Sequence, residues 1–198
     1  AIHPRLVYCS ITGFGQTGPY ADRPGYDSLI QGMGGLMSVT GEPDAADGGG
    51  PQKTGVALAD VMSGLYAVIA VQAALAARER TGIGQYIDLA LLDVQVASLA
   101  NQAMNYLVSG EAPRRLGNAH PNIVPYQSFA TRDGHFILAV GNDAQFRRLA
   151  ESIGAAELAE DPRFATNAER VVHRDELVAI LQTVFEQKAR ATWLAQLD

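Results

Sequence analysis

Cysteine and basic charge are both scarce in this sequence. The single cysteine, Cys9, cannot form a disulfide within the chain, which favours a reducing compartment such as the cytoplasm. No His/Cys cluster has metal-ligand spacing, so we expect no metal site. The formal net charge of -6 argues against a nucleic-acid partner, because nucleic-acid binding needs a broad basic face. A ligand with a few phosphates stays possible, since a few local cations can hold it.

Long hydrophobic runs and a secretory leader are also missing. The longest apolar stretch, residues 65–77, is interrupted by Tyr66 and Gln72 and is too short to cross a bilayer. We therefore predict a buried helix there and no membrane association. The sequence begins without Met, and residues 191–198 have a helical pattern without a Gly or Pro stop, so we expect a fragment of a longer chain.

The first half of the sequence alternates strand and helix patterns. Apolar strand patterns occur at residues 6–11 and 85–91, and helical spacing occurs at residues 26–37, 56–80 and 93–108. A glycine-rich loop at 12–19 and a Gly/Asp/Ala loop at 42–51 separate them. This order predicts an α/β architecture with mainly parallel strands.

The second half has a different character. Residues 111–125 are polar and contain three prolines, which indicates a linker. Arg132-Asp133-Gly134 lies between two strand patterns and predicts a hairpin, and helical patterns at 144–153 and 175–188 follow. We therefore divide the chain into part of a large domain (1–110), a linker (111–125) and a small α+β domain (126–198).

Asp60 is the most informative single residue. It lies near the start of the predicted 56–80 helix, among small residues that include Gly55 and Gly64. By spacing alone, an acidic residue that complements the helix dipole is the more common explanation. The alternative is a carboxylate nucleophile, for which small neighbours would leave room for a bulky thioester.

Several motifs follow one another along the chain: Thr12-Gly-Phe-Gly-Gln-Thr-Gly-Pro-Tyr20, Gly25-Tyr-Asp27, Gly55-Val-Ala-Leu-Ala-Asp60, Arg78-Glu-Arg-Thr-Gly82, Gly84-Gln-Tyr-Ile-Asp88, Arg115-x-Gly117-x-x-His120, Pro125-Tyr126-x-x-Phe129 and Val140-Gly-Asn-Asp143. Together they resemble family III CoA-transferases, a group that includes formyl-CoA transferase and carnitine CoA-transferase. The resemblance covers nearly the whole chain and is greatest for members of the succinyl-CoA:glutarate type.

The resemblance implies a fold, an activity and a site. It implies a Rossmann-like large-domain segment followed by a small domain, an interlocked homodimer, and a preceding half-domain that holds much of the CoA pocket. The family's catalytic aspartate falls on Asp60, which would form an aspartyl-CoA thioester. Tyr26 and Gln31 match positions that line the active site, while Arg115 and His120 are candidates for substrate binding. Coenzyme A would be a cosubstrate, with no permanently bound cofactor.

Two alternatives remain at this point. An α-methylacyl-CoA racemase shares the fold, but racemases of this kind carry a His-Asp pair where this chain has Tyr26-Asp27. A tyrosine with an ordinary pKa near 10 is a poor base at neutral pH, which disfavours racemisation. The other alternative is a non-catalytic fragment. The sequence does not identify the acids that would be exchanged.

Overall fold

The computed structural model describes residues 3–197 and divides the chain into two compact units. The division falls between Gly117 and Asn118, inside the predicted linker. That segment is hydrogen-bonded in two parts: Gly117 N–H donates to Gly41 O (2.9 Å) in the first unit, and His120 N–H donates to Tyr126 O (2.9 Å) in the second. The polar composition of this segment indicated a linker but did not reveal these hydrogen bonds. The domain boundaries at residues 110 and 125 stay a prediction.

A parallel strand pair forms the sheet of the first unit. Strand β1 (Tyr8–Thr12) pairs with β2 (Tyr86–Ala90) in a register that runs from Tyr8↔Tyr86 to Thr12↔Ala90. The parallel pairing confirms the predicted α/β architecture. Tyr8 and Ile11 of β1 are nevertheless half exposed, although the strand pattern is apolar. Strand pattern alone does not tell how many faces of a strand are covered.

Five helices complete the described part of the first unit: α1 (Asp27–Met33), α2 (Leu36–Val39), α3 (Leu58–Thr81), α4 (Leu91–Ala97) and α5 (Asn101–Ser109). Two predicted helices are thus each broken into two. Gly35 adopts a left-handed conformation (φ 85°) between α1 and α2, and Ala100 has φ 48° before α5. A positive φ is incompatible with a continuing right-handed helix, so the chain turns at both places.

The buried residues of helix α3 are all small, and several of its large apolar residues are exposed. Ala59, Ser63, Ala67 and Ala74 are buried, and α3 contacts α4, α1 and both strands. The larger apolar residues Val61, Leu65, Val68 and Ile69 are 50–65% exposed. The expectation of a buried helix is therefore wrong within the described residues, because periodicity finds an apolar face without showing what covers it.

By length and composition alone, α3 could also span a membrane, with a mean hydropathy of 1.7 over its most apolar window. Core helices of soluble proteins can be equally long and equally apolar.

The second unit begins with the predicted hairpin. Strands β3 (Tyr126–Thr131) and β4 (Gly134–Ala139) are antiparallel, and Thr131 pairs with Gly134. The helices that follow are α6 (Asp143–Ser152), α7 (Glu157–Glu160), α8 (Asn167–Val172), α9 (Arg174–Phe185) and α10 (Arg190–Leu197). Helices α7 and α8 were not predicted because each is less than two turns long.

An aromatic core holds the second unit together. Phe185 forms edge-to-face contacts with Phe129, Phe136 and Trp193 at centroid distances of 5.0–5.2 Å. The Trp193 indole N–H donates to Phe185 O (2.8 Å), so the polar atom of this buried ring is satisfied. This well-packed core accounts for the compactness of the unit.

Candidate active site

Asp60 is the third residue of α3 and its side chain is exposed. Its carboxylate forms no hydrogen bond or ion pair with any residue between 3 and 197. An acidic residue in a first helical turn commonly accepts a backbone N–H of its own helix. Asp60 does not, so its two oxygens stay available to a ligand.

Asp27, on another helix, caps α3 instead. The N-cap residue of α3 is Ala57, which has no side-chain acceptor. The Asp27 carboxylate lies at this helix start, and its Oδ1 accepts the N–H of Ala59 (2.9 Å). Tyr26 directly precedes Asp27 in the chain, and Asp60 directly follows Ala59. The bond therefore fixes the start of α1 against the turn that carries Asp60.

Gln31 extends the link between α1 and the segment before α3. Its Nε2 donates to Asp27 Oδ2 (2.8 Å), and its Oε1 accepts the N–H of Thr54 (2.9 Å). The side chain is fully buried. These contacts support a structural role for Gln31, and its predicted contact with substrate stays a prediction.

A close backbone crossing sets the position of Tyr26. A Cβ placed on Gly13, which follows β1, would lie 2.5 Å from the Cα of Gly25. Only glycine at both positions permits this approach. Tyr26, the next residue, begins α1 in an extended conformation and is 72% exposed. Its phenol is therefore accessible, as an active-site hydrogen-bond donor would need to be.

The glycine-rich loop after β1 is held by side chains. The N–H of Gln16 donates to Asp88 Oδ2 and the N–H of Gly15 donates to Thr12 Oγ1, both at 2.9 Å. Gly15 has φ 82°, which a glycine adopts at little cost. Because these two N–H groups are engaged within the chain, they do not form an open anion cradle.

The Arg115 guanidinium is engaged in the first unit. Its Nη1 donates to Met37 O (3.0 Å), and its Nε and Nη2 donate to Asp44 Oδ1. The Arg115 side chain is 10% exposed, whereas that of Asp44 is 73% exposed. These contacts fasten the exposed 42–51 loop. The predicted binding of a substrate carboxylate by Arg115 stays a prediction.

His120 lies at the start of the second unit. Its ring stacks on Tyr126 (centroids 5.3 Å apart, 20° between planes), and its Nδ1 accepts the N–H of Asn122 (3.1 Å). The neutral ring would therefore carry its proton on Nε2. The Arg174 guanidinium donates to the carbonyl oxygens of His120 and Pro121. These contacts order the turn, and the predicted substrate contact of His120 stays a prediction.

The surface near Asp60 is open and carries small residues. A Cβ added at Gly55 or Gly64 would meet no atom within 4 Å. Gly64 costs about 1 kcal/mol relative to Ala in a helix interior, and no contact among the described residues requires it. Between residues 3 and 197, no group of three His, Cys, Asp or Glu side chains could hold a metal ion. The arrangement offers an accessible carboxylate beside space for a ligand.

Asp27 is the site residue that sequence reasoning missed. Its i,i+4 spacing to Gln31 is visible in the sequence, and such pairs interact on helices. Its second partner, the N–H of Ala59, lies 32 residues away. Only the packing of α1 on α3 brings them together.

Comparison with known proteins gives a consistent result. The family model for CoA-transferase family III matches residues 1–198. The chain is 60% identical over 182 residues to a succinate–glutarate CoA-transferase of Agrobacterium fabrum, covering 92% of this chain and 44% of the relative. It is 42% identical over 193 residues to the succinyl-CoA:glutarate CoA-transferase of Homo sapiens, covering 98% of this chain and 43% of that protein.

Solved structures agree with these relatives. A CaiB/BaiF family protein from Brucella suis has a TM-score of 0.78 and 59% identity, covering 99% of this chain and 51% of that one. A hypothetical protein from Mycobacterium tuberculosis has a TM-score of 0.82 and 31% identity, covering 98% and 50%. The chain thus spans about half the length of the relatives it matches. It belongs to CoA-transferase family III.

Proposed function

We propose that the full protein transfers coenzyme A between an acyl-CoA thioester and a carboxylic acid, with Asp60 as the covalent nucleophile. The observation that carries this proposal is the exposed Asp60 carboxylate, which has no partner among residues 3–197 although it lies in the first turn of α3. A nucleophile needs an accessible lone pair and a geometry fixed by its surroundings. The bond from Ala59 N–H to Asp27 supplies the fixed backbone.

The reaction can be written with two covalent intermediates. An Asp60 oxygen attacks the thioester carbonyl carbon, and the C–S bond breaks to give a mixed anhydride and CoA thiolate. The thiolate then attacks the Asp60 carbonyl carbon, which releases the first acid as its carboxylate and leaves an aspartyl-CoA thioester. The incoming carboxylate attacks that thioester, and the same two steps in reverse form the new acyl-CoA. No proton or electron is gained or lost overall.

Tyr26 is our candidate for stabilising the oxyanion in these steps. Each attack places negative charge on a carbonyl oxygen, and a positioned O–H donor lowers the energy of that state. The exposed phenol of Tyr26 adjoins Asp27, and Asp27 is bonded to the residue before Asp60. This connectivity supports the role.

Small dicarboxylates are the substrate class we propose. The succinate–glutarate CoA-transferase of Agrobacterium fabrum is 60% identical to this chain, and the human succinyl-CoA:glutarate enzyme is 42% identical. A dicarboxylate keeps one free carboxylate after the other is activated, and an arginine is well suited to bind it. Arg115 and His120 are the candidates that the sequence offers.

We further propose a cytoplasmic homodimer with no permanently bound cofactor. The single cysteine supports a reducing compartment. The exposed apolar side chains of α3 support a larger assembly or additional chain over that face.

Replacement of Asp60 tests the proposed function. In the full-length protein, we expect Asp60→Asn to reduce CoA transfer by several powers of ten, because the amide keeps the size but is not a competent nucleophile. Incubation with acyl-CoA followed by hydroxylamine should modify a wild-type peptide that contains Asp60. Asp175→Asn is a matched control, since Asp175 is also exposed in the first turn of a helix, α9.

Two outcomes would contradict the assignment. Hydroxylamine modification of another residue, with Asp60→Asn still active, would remove Asp60 as the nucleophile. Exchange of the substrate α-proton with solvent deuterium, without transfer between acids, would instead identify a racemase.

A further inference from the structure

We propose that Asp27 is a positioning residue for Asp60: it caps α3 from a neighbouring helix and so leaves the Asp60 carboxylate free to react. This inference rests on the proposed function. The carboxylate of Asp27 accepts the N–H of Ala59 through Oδ1 (2.9 Å) and Gln31 Nε2–H through Oδ2 (2.8 Å). Both oxygens are thus engaged, and the side chain is held between α1 and α3.

The start of α3 would otherwise need a cap from its own sequence. The first N–H groups of a helix lack intrahelical partners, and a side-chain oxygen at the N-cap usually accepts the second or third of them. Ala57 has no such oxygen. Without Asp27, the nearest acidic side chain in the first turn of α3 is Asp60 itself. Because Asp27 accepts the N–H of Ala59, that N–H does not need the Asp60 carboxylate as its acceptor.

Further hydrogen bonds of Gln31 hold the capping carboxylate of Asp27 in place. Gln31 accepts Thr54 N–H (2.9 Å) through Oε1, and its Nε2 also lies 3.3 Å from Val56 O. Below the cap, buried Ala59 packs in one cluster with Ile30 and Leu91. The segment that leads into α3 is consequently fixed on both sides of the turn that carries Asp60.

This arrangement predicts an effect on chemistry more than on binding. In the full-length protein, we expect Asp27→Ala to slow the first-turnover formation of the Asp60 adduct by about tenfold to a hundredfold, since a misplacement near 1 Å can cost that much. The KM for acyl-CoA should change by less than roughly threefold, because both carboxylate oxygens of Asp27 are engaged within the chain. Asp27→Asn should recover much of the rate, since its side-chain oxygen can still accept Ala59 N–H.

A helix-cap control separates positioning from general stability. Thr166 caps α8 in the second unit by accepting the N–H of Glu169 (3.3 Å). Thr166→Ala should lower the free energy of unfolding to a similar degree but keep the wild-type rate of adduct formation. If Asp27→Ala does not fold, Asp27→Glu serves instead, because it keeps the charge but moves the carboxylate by one methylene. We expect Asp27→Glu to slow adduct formation as well.

The possible outcomes can be told apart. Adduct formation at the wild-type rate in Asp27→Ala, or in Asp27→Glu where only that variant folds, would overturn the positioning role while the proposed function stands. An equal rate loss in Thr166→Ala would also overturn it, because the effect would then be one of stability. A wild-type protein that forms no adduct on Asp60 would instead overturn the proposed function, and the positioning role with it.

Discussion

At the scale of single residues, the carboxylates of Asp27 and Asp60 have different surroundings. Asp27 and Asp60 both belong to the first turns of helices. The carboxylate of Asp27 is fully engaged, and that of Asp60 has no partner within residues 3–197. A buried or bonded carboxylate contributes to structure, whereas an exposed and unbonded one on a rigid backbone is available for chemistry. The difference lies in their partners and not in their position on a helix.

Arg115 provides a residue-scale test of the dicarboxylate proposal. If Arg115 binds the free carboxylate of the substrate, Arg115→Met in the full-length protein should raise the KM for dicarboxylic acids by about ten- to a hundredfold. That corresponds to the loss of one charge-assisted hydrogen bond, about 1.5–3 kcal/mol. The KM for a monocarboxylic acid of equal length should change little.

Asp44→Asn is the matched variant, because Asp44 is the acidic partner of Arg115 in the first unit. It weakens the tether of the 42–51 loop but keeps the guanidinium. Equal effects of Asp44→Asn and Arg115→Met on both acids would show that Arg115 only holds the loop.

At the scale of elements, the crossing of Gly13 and Gly25 joins the end of β1 to the start of α1. A side chain at either position would penetrate the backbone of the other. Because α1 begins two residues later, this crossing determines where Tyr26 and Asp27 lie. The two glycines are therefore part of the support for the proposed site.

We expect Gly25→Ala to destabilise the full-length protein by about 1–3 kcal/mol, the usual cost of forced overpacking. Gly55→Ala is the control, since a Cβ there would meet no atom within 4 Å and should change stability little. Chemical denaturation of both variants measures the difference. A Gly25→Ala protein as stable as Gly55→Ala would show that the backbone can separate at this crossing.

At the scale of the whole molecule, the main feature is the uncovered face of α3. Four of its large apolar side chains are at least half exposed in this 198-residue chain, and the relatives are about twice as long. Burial of such a face stabilises a protein by about 25 cal/mol per Å². We therefore expect the face to be covered in the homodimer that we propose for the full-length protein.

Charge insertion on α3 tests this expectation. Ile69→Glu in the full-length protein should lower stability by about 2 kcal/mol or more or prevent folding, because a carboxylate would be buried without a partner. Gln72→Glu, also exposed on α3 in this chain, adds the same charge at a polar position and should be tolerated better. Light scattering on the unmodified protein should show a dimer. A stable, active monomer that accepts Ile69→Glu would contradict the proposal.

The sequence by itself determined most of the elements. The strand patterns near β1 and β2 and the Arg132-Asp133-Gly134 turn predicted the parallel pair and the hairpin, and both are present. Local backbone chemistry explains this success, because turn residues and apolar periodicity act within a few residues. The Asp60 hypothesis also came from the sequence, through the motif around it and the similarity to a family.

Tertiary structure alone decided how the candidate site is supported. The bond from Ala59 N–H to Asp27, the buried amide of Gln31 and the contact of Gly13 with Gly25 each join residues between 12 and 32 positions apart. The burial of α3 through Ala59 and Ala67, with Leu65 and Ile69 left outside, was also unpredicted. Periodicity gives the direction of a side chain on its own element, but the partner that it meets depends on the packing of other elements. For that reason the sequence could suggest Asp60 as a candidate nucleophile but could not identify Asp27 as the residue that caps its helix.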